Sequence, residues 1–391
     1  MQLIYVILIL FNLLLSLYIS SNIFSYITLS QFFLFLNGIG SIFIENVNSF
    51  ISFYPVILII VSGLILNIGF LIAGKSNKDL INKMHISQSV VFSVNVCFII
   101  YVIIVFLFFV LYGIPLLYDD IYTARRAVQV LPGVFLFYKV MLIMGPMLSV
   151  VYLLIFNDSG KKSSKKNYIF VVFVNVLVNF LLGFKAYVAW FVILQLIAFS
   201  LYSNNNKKTI VAIISAIILS IISTMIMYNL NFFESILKFI YRATVEGGYG
   251  LKILVNEFMA IESSSKYYFS LAEELTRWKY GSTSMLVKSD LSLTITSVGA
   301  FYYYWGWLGL LLGSFFYGYI GRILEKKSKM NSSIFVRTFY IYILYVMVTF
   351  TNRGYIFNLI YESLFYGAFF IVFIILFFFV INYSKRKNNF T

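Results

Sequence analysis

Ser52–Ala73 reads SFYPVILIIVSGLILNIGFLIA, a run of 22 residues without a charge. A bilayer core takes roughly 20 residues as a helix, so this segment is long enough to cross one. Similar runs recur along the chain. They predict spans at about Met1–Ile19, Tyr26–Ile44, Ser52–Ala73, Ser89–Tyr112, Val134–Phe156, Tyr168–Gly183, Ala186–Tyr202, Thr209–Tyr228, Val298–Ile320, Ile334–Phe350 and Ile356–Ile381, about eleven in all. The chain has 391 residues, 61% hydrophobic and 11% charged, more apolar surface than a water-soluble fold of this size can bury. The expectation is an all-α, polytopic integral membrane protein, a single membrane domain over 1–391.

The formal charge of +15 does not indicate nucleic acid here, because the basic residues fall in short breaks between apolar runs. Such residues orient spans and meet anionic lipid heads. Lys75–His85, Ser159–Asn167, Asn204–Lys208, Glu325–Lys329 and Lys385–Lys387 are expected on the cytoplasmic side, and an even number of spans separates each from the next. The N-terminus then lies outside, and its first twenty residues read as a span and not a cleaved signal. One cysteine, Cys97, excludes a disulfide framework. No carboxylate spacing suggests a metal site, and no cofactor is expected. Pro55 and Pro146 lie inside runs and predict local bends.

The long hydrophilic interruption, 229–297, falls outside in this scheme. Within it FFESILKFIYR and LKILVNEFMAIE carry apolar residues at helical spacing and predict short amphipathic helices at the outer interface. The intervening GGYG (Gly247–Gly250) reads as a flexible turn, since the strand and lysine of a phosphate-cradling loop are missing.

Three segments share a pattern with a known family. SVGAFYYYWGWLGLLLGSFFYGYIGRILEKK (Ser297–Lys327) is a span entered through aromatic and glycine residues. TNRGY (Thr351–Tyr355) follows one span later. LLGFKAYVAWFVILQLIAF (Leu181–Phe199) puts a lysine at the mouth of a helix directly after a tight turn. Together with the span order and the long outer loop, these resemble the O-antigen polymerases, the Wzy family, and related oligosaccharide repeat-unit polymerases. The arginine-x10-glycine spacing of some members has no counterpart here. The resemblance implies a GT-C-like membrane glycosyltransferase in the bacterial cytoplasmic (inner) membrane, working on the periplasmic side in O-antigen lipopolysaccharide or related polysaccharide synthesis. Its substrate would be an undecaprenyl-diphosphate-linked oligosaccharide, and a chain-length regulator protein would be a partner. A flippase for the same lipid-linked sugars is the competing reading. That protein should show two similar halves and short outer loops.

A departing diphosphate needs positive charge in place. Arginine meets phosphate oxygens with a planar fork. The outer cations supply the candidates. Arg353 stands in the short turn TNRGY, with Gly354 allowing close approach. Arg125 and Arg126 run against the positive-inside bias, although Asp119 and Asp120 offer a simple charge-paired loop. Lys185 opens a helix, where it could hold a phosphate or merely snorkel. Arg242 and Arg277 belong to the long loop, among its carboxylates. Tyr303 and Trp305, in the run Phe301–Trp307, fit a sugar-stacking platform or an interfacial belt. The base is open among Asp119, Asp120, Glu246, Glu257, Glu273, Glu274, Asp290 and Glu362. His85, the sole histidine, is expected in a cytoplasmic loop.

Overall fold

A computed structural model describes residues 2–20, 22–43, 53–74, 86–118, 134–159, 162–183, 185–202, 230–241, 247–259, 271–281 and 293–354, with single positions elsewhere. The predicted spans Thr209–Tyr228, all but a few positions, and Ile356–Ile381 lie outside the described residues. So do Arg125, Arg126, Arg242 and His85, and, of the candidate bases, Asp119, Asp120, Glu246, Asp290 and Glu362.

The described residues form helices and no strand. In chain order these are α1 (Gln2–Ser20), α2 (Tyr26–Phe43), α3 (Tyr54–Ile72), α4 (Gln88–Tyr112), α5 (Val134–Ser159), α6 (Lys162–Leu181), α7 (Lys185–Tyr202), α8 (Phe232–Tyr241), α9 (Gly247–Ile253), α10 (Leu271–Tyr280), α11 (Thr296–Met330) and α12 (Ile334–Arg353). Among the described residues, six helices are long and apolar enough to cross a membrane. They are α1, α3, α4, α5, counted from Met141, α11 and α12. Helices α2 and α7 are apolar but shorter, and α6 coincides with a further predicted span.

By contact the chain divides into two compact units. The first comprises Met1–Asn77, Ile236–Lys326 and Ile343–Ser363. Polar side chains join its helices. Asn12 Nδ2 donates to Ile60 O (2.9 Å), Gln31 Nε2 to Gly63 O (2.7 Å) and Asn67 Nδ2 to Asn12 O (3.1 Å). Ser62 and Ser314 share a hydrogen bond of 2.7 Å. Between apolar helices such bonds hold neighbours together where hydrophobic contact alone does not choose a partner.

The second unit comprises Lys78–Ser235, Lys327–Tyr342 and Leu364–Thr391. The same device recurs there. Tyr101 donates to Asn175 Oδ1 (3.0 Å), Tyr168 to Gln195 Oε1 (3.1 Å), and Gln195 Nε2 to Ser149 Oγ (2.6 Å). Arg337 is fully buried. Its guanidinium stacks 5.2 Å from the Tyr202 ring and donates to Asn331 O and Lys329 O. It thereby closes the turn between α11 and α12 by satisfying carbonyls at the end of α11.

Several sequence expectations change. Pro55 sits in the first turn of α3, where its missing N–H costs nothing, and so it starts the helix instead of bending it. Pro146 does lie inside α5. Glu325–Lys329 is not a loop, because α11 continues through it to Met330. Lys165 and Lys166 likewise belong to the first turns of α6.

The predicted span Val298–Ile320 is two helical arms. The backbone leaves helical geometry at Trp305 (φ −137°, ψ 18°) and Gly306 (φ 58°, ψ −144°). A Cβ placed on Gly309 would lie 2.4 Å from Phe301 O, and one on Gly313 2.6 Å from the Phe301 ring. Eight residues of straight helix span about 12 Å. Contact between 301 and 309 therefore means that the first arm folds back along the second, with Trp305 and Gly306 at the tip.

In the 229–297 segment, α8 forms as expected, with Phe232, Phe233, Leu237 and Ile240 exposed along its apolar face. GGYG is the first turn of α9, not a flexible turn. A Cβ on Gly250 would stand 2.1 Å from Thr294 O and one on Gly248 2.4 Å from Ser41 N, so the glycines are where other backbone touches the helix. The second amphipathic pattern is not interfacial. Leu251, Ile253, Leu254 and Phe258 are buried, and Leu251 packs with Leu34, Leu58 and Val298 in the core of this unit. A third helix, α10, has no counterpart in the sequence reading.

Candidate functional site

Arg353 is the last residue of α12, one step earlier in regular structure than the turn the sequence suggested. The helix stops at Gly354, whose φ is +71° and whose N–H donates to Phe350 O at 2.8 Å. This left-handed cap is a glycine conformation. Gly354 is also pressed against the start of α11: a Cβ there would lie 2.2 Å from Thr296 O and 2.6 Å from Ile295 Cγ1. Thr296 itself is buried at φ +60°, a conformation that β-branched residues rarely adopt. Thr294, two residues earlier, lies under Gly250 of α9, and Leu293 N donates to Thr276 Oγ1 of α10 (3.0 Å). The segment 293–296 is thus held between α9 and α12, and its position fixes that of Arg353.

A second set of contacts holds the same helix end. Asn37 Nδ2 donates to Asn352 Oδ1 at 3.3 Å. Ser41 Oγ lies within bonding distance of both Asn37 O (2.9 Å) and Gly248 O (3.2 Å). Thr351 Oγ1 reaches Met347 O, and the Tyr317 hydroxyl donates to the same carbonyl. Arg353 is half-buried, at the negative end of the α12 dipole, a setting that favours a cation. The arrangement can present a fork-shaped cation to a phosphate on a backbone that cannot shift without displacing Gly354 from Thr296.

Gly354→Ala is accordingly expected to destabilise the protein by about 1–3 kcal/mol, the usual cost of a residue held in a sparsely populated backbone region. The measurement is the melting midpoint of the purified protein in detergent. An unchanged midpoint would show that Gly354 is not pressed against Thr296.

The other described candidates are placed by their own elements. Arg277 Nη1 stands 3.9 Å from Glu274 Oε2, and both side chains are substantially exposed, a weak surface pair. Glu273 lies on the same helix. Lys185 opens α7 in the second unit, two residues after Gly183 (φ +71°). Tyr303 is 1% exposed, between Phe258 and Tyr304. Trp305, at the tip of α11, is 57% exposed.

Sequence reasoning missed Asn37, Asn352, Thr296, Trp278 and Lys279. An asparagine within an apolar helix was the available signal for Asn37. For Lys279 there was none, because its partner is 22 residues away: Lys279 Nζ lies 2.5 Å from Glu257 Oε2. That hydrogen bond is the first reason the Lys279 pKa is raised above the ordinary lysine value. The pair's contribution is present below that ordinary value and is lost only as pH climbs past the raised one, so it is intact throughout the neutral range. Among the described residues no three His, Cys, Asp or Glu side chains are grouped so as to hold a metal ion. Comparison with protein-family models, curated proteins and solved structures finds no match to this chain.

Proposed function

We propose that this chain is a polysaccharide polymerase, a GT-C-like membrane glycosyltransferase of about eleven spans in the bacterial cytoplasmic membrane. It joins undecaprenyl-diphosphate-linked repeat units on the outer face. The observation that carries the reading is Arg353, a half-buried cation at the end of an apolar helix, on a backbone fixed by Gly354, Thr296 and the Asn37–Asn352 pair.

In this reaction a hydroxyl of the acceptor unit attacks the anomeric carbon of the growing glycan. The new C–O bond forms as the bond to the diphosphate breaks. The hydroxyl proton passes to a carboxylate base, and undecaprenyl diphosphate leaves with the bonding pair. Arg353 stabilises the charge that builds on the leaving oxygen, with Lys185, Arg125 and Arg126 as the further cations the reading calls on. Arg242 and Arg277 are assigned to substrate binding. A chain-length regulator remains part of this proposal.

One feature favours the flippase reading: the break in α11, since interrupted helices are a transporter device. Deleting the gene separates the two. Loss of long chains with one repeat unit still transferred identifies a polymerase. Repeat units trapped on the inner leaflet would overturn that reading in favour of the flippase.

A further inference from the structure

Unusual backbone marks both ends of the first arm of α11. At its start Thr296 is buried at φ +60°, a strained conformation for a β-branched residue. At its end Gly306 takes φ 58°, ψ −144°, a region open to glycine almost alone. Nothing lies within 4 Å of a Cβ built on Gly306. Between these points the arm is helical and packs through glycines. Gly299 receives Leu251 and Leu254, and Gly309 and Gly313 of the second arm receive Phe301. Small residues of this kind let helices approach closely with few side chains to interlock. The arm also bears on the last turn of α12. Phe301 lies 5.6 Å from the Phe350 ring, and Thr296 O is pressed on Gly354. Near the tip one polar contact holds the arm down. The Tyr302 and Tyr54 hydroxyls are 2.7 Å apart, and the Trp307 ring lies 6.0 Å from Tyr302 and 6.1 Å from Tyr54.

We infer that residues 297–304 form a hinged strap, which turns about Thr296 and Gly306 and, when closed, clamps the end of α12. Hinges are a few residues at element ends that absorb a change of backbone angles. Strained residues persist at switch regions, held there by the contacts around them. Thr296 is such a residue, and lifting the arm from Gly354 lets it relax. The Tyr54–Tyr302 hydrogen bond is the latch, at the opposite end of the arm from the strain. Rigid packing through glycine would give the same contacts. It would also keep Ser297, 2% exposed, shut away whatever residue stands at 302 or 306. The inference rests on the polymerase reading in one respect: the clamped turn carries Arg353, so the strap sets when that cation is presented to the diphosphate.

The test is thiol labelling of full-length protein in nanodiscs by a membrane-impermeant maleimide. Cys97→Ser removes the native thiol, and Ser297→Cys is the reporter. Labelling is expected to be slow and to follow the open fraction. Tyr302→Phe removes the latch hydroxyl, and Gly306→Ala meets backbone strain without a clash. Each should speed labelling about fivefold, the weight of one net hydrogen bond. Thr296→Gly relieves the strain of the closed state and should slow it about fivefold. If Gly306→Ala fails to fold, the other two still carry opposite signs. Ser16→Cys, buried in α1 of the same unit, is the control and should label at one unchanged rate. No labelling in any variant, one rate in all of them, or a control that speeds in step with the reporter would overturn the strap. The two readings fail separately. If deletion removes long chains while the reporter labels at one rate in every variant, the strap falls and the polymerase stands. If deletion leaves chain length intact while the rates follow hinge and latch, the polymerase falls and the strap stands.

Discussion

Cells carrying Arg353→Ala are expected to lose long glycan chains while still transferring single repeat units, with the protein present at its normal level. The guanidinium is the cation this reading places nearest the departing diphosphate. Removing one such electrostatic partner typically costs about 10²–10³ in turnover, or roughly 2.7–4 kcal/mol. A polymer of many units amplifies that loss at each addition, so the ladder of chain lengths should collapse to its shortest members. Arg353→Lys is expected to restore part of the ladder, since an ammonium supplies charge without the bidentate fork. A normal ladder from Arg353→Ala would remove the residue from the mechanism. Full activity from Arg353→Lys would reduce it to a point charge. The melting midpoint of the alanine variant is the control for folding, and the close backbone contact there is made by Gly354 and Thr296.

Glu325→Ala is expected to produce the largest loss of stability. Arg322 Nη1 and Glu325 Oε2 are 3.0 Å apart, with side chains only 10% and 4% exposed. The second carboxylate oxygen accepts from Tyr26 N (3.0 Å), the first amide of α2, and so caps that helix. Arg322 Nε donates to Gly74 O just beyond α3 (3.1 Å), and its guanidinium lies 4.5 Å from the Phe70 ring. Lys326 Nζ donates to Ala73 O at 2.5 Å. The cluster thus binds the start of α2 and the end of α3 to α11. Losing the carboxylate strands a buried guanidinium and an uncapped amide, at a cost of about 3–5 kcal/mol. Glu325→Gln, which keeps an acceptor, should cost less. The check is the melting midpoint by fluorescence-detected gel filtration. A midpoint within a degree of the native value for Glu325→Ala would mean that the pair is solvated, as the basic run EKKSK suggested.

These two sites show what kinds of feature a sequence carries. At TNRGY the arginine between apolar runs stood out by its local setting, and so did the glycine beside it. That the glycine is pressed onto Thr296 depends on a residue 58 positions away, which no local pattern encodes. At EKKSK the local pattern misled. A lysine-rich break between apolar runs reads as solvated turn, yet helical hydrogen bonding continues through it, and Glu325 finds Tyr26 and Arg322. The GGYG run shows the same failure in another form. Glycine signals freedom in sequence, and here it serves close approach, because Ser41 and Thr294 occupy the space of its missing side chains.

The sequence alone determined that this chain is built of helices and where most of them lie, because hydropathy and helical length are properties of contiguous residues. Only the tertiary structure decided that one predicted span folds back at Trp305–Gly306, that α9 belongs to a core, and that Glu257 meets Lys279. The last two depend on contacts between distant segments, where packing and the pairing of buried polar groups override local preference, and the first on backbone angles at Trp305 and Gly306 that hydropathy does not signal.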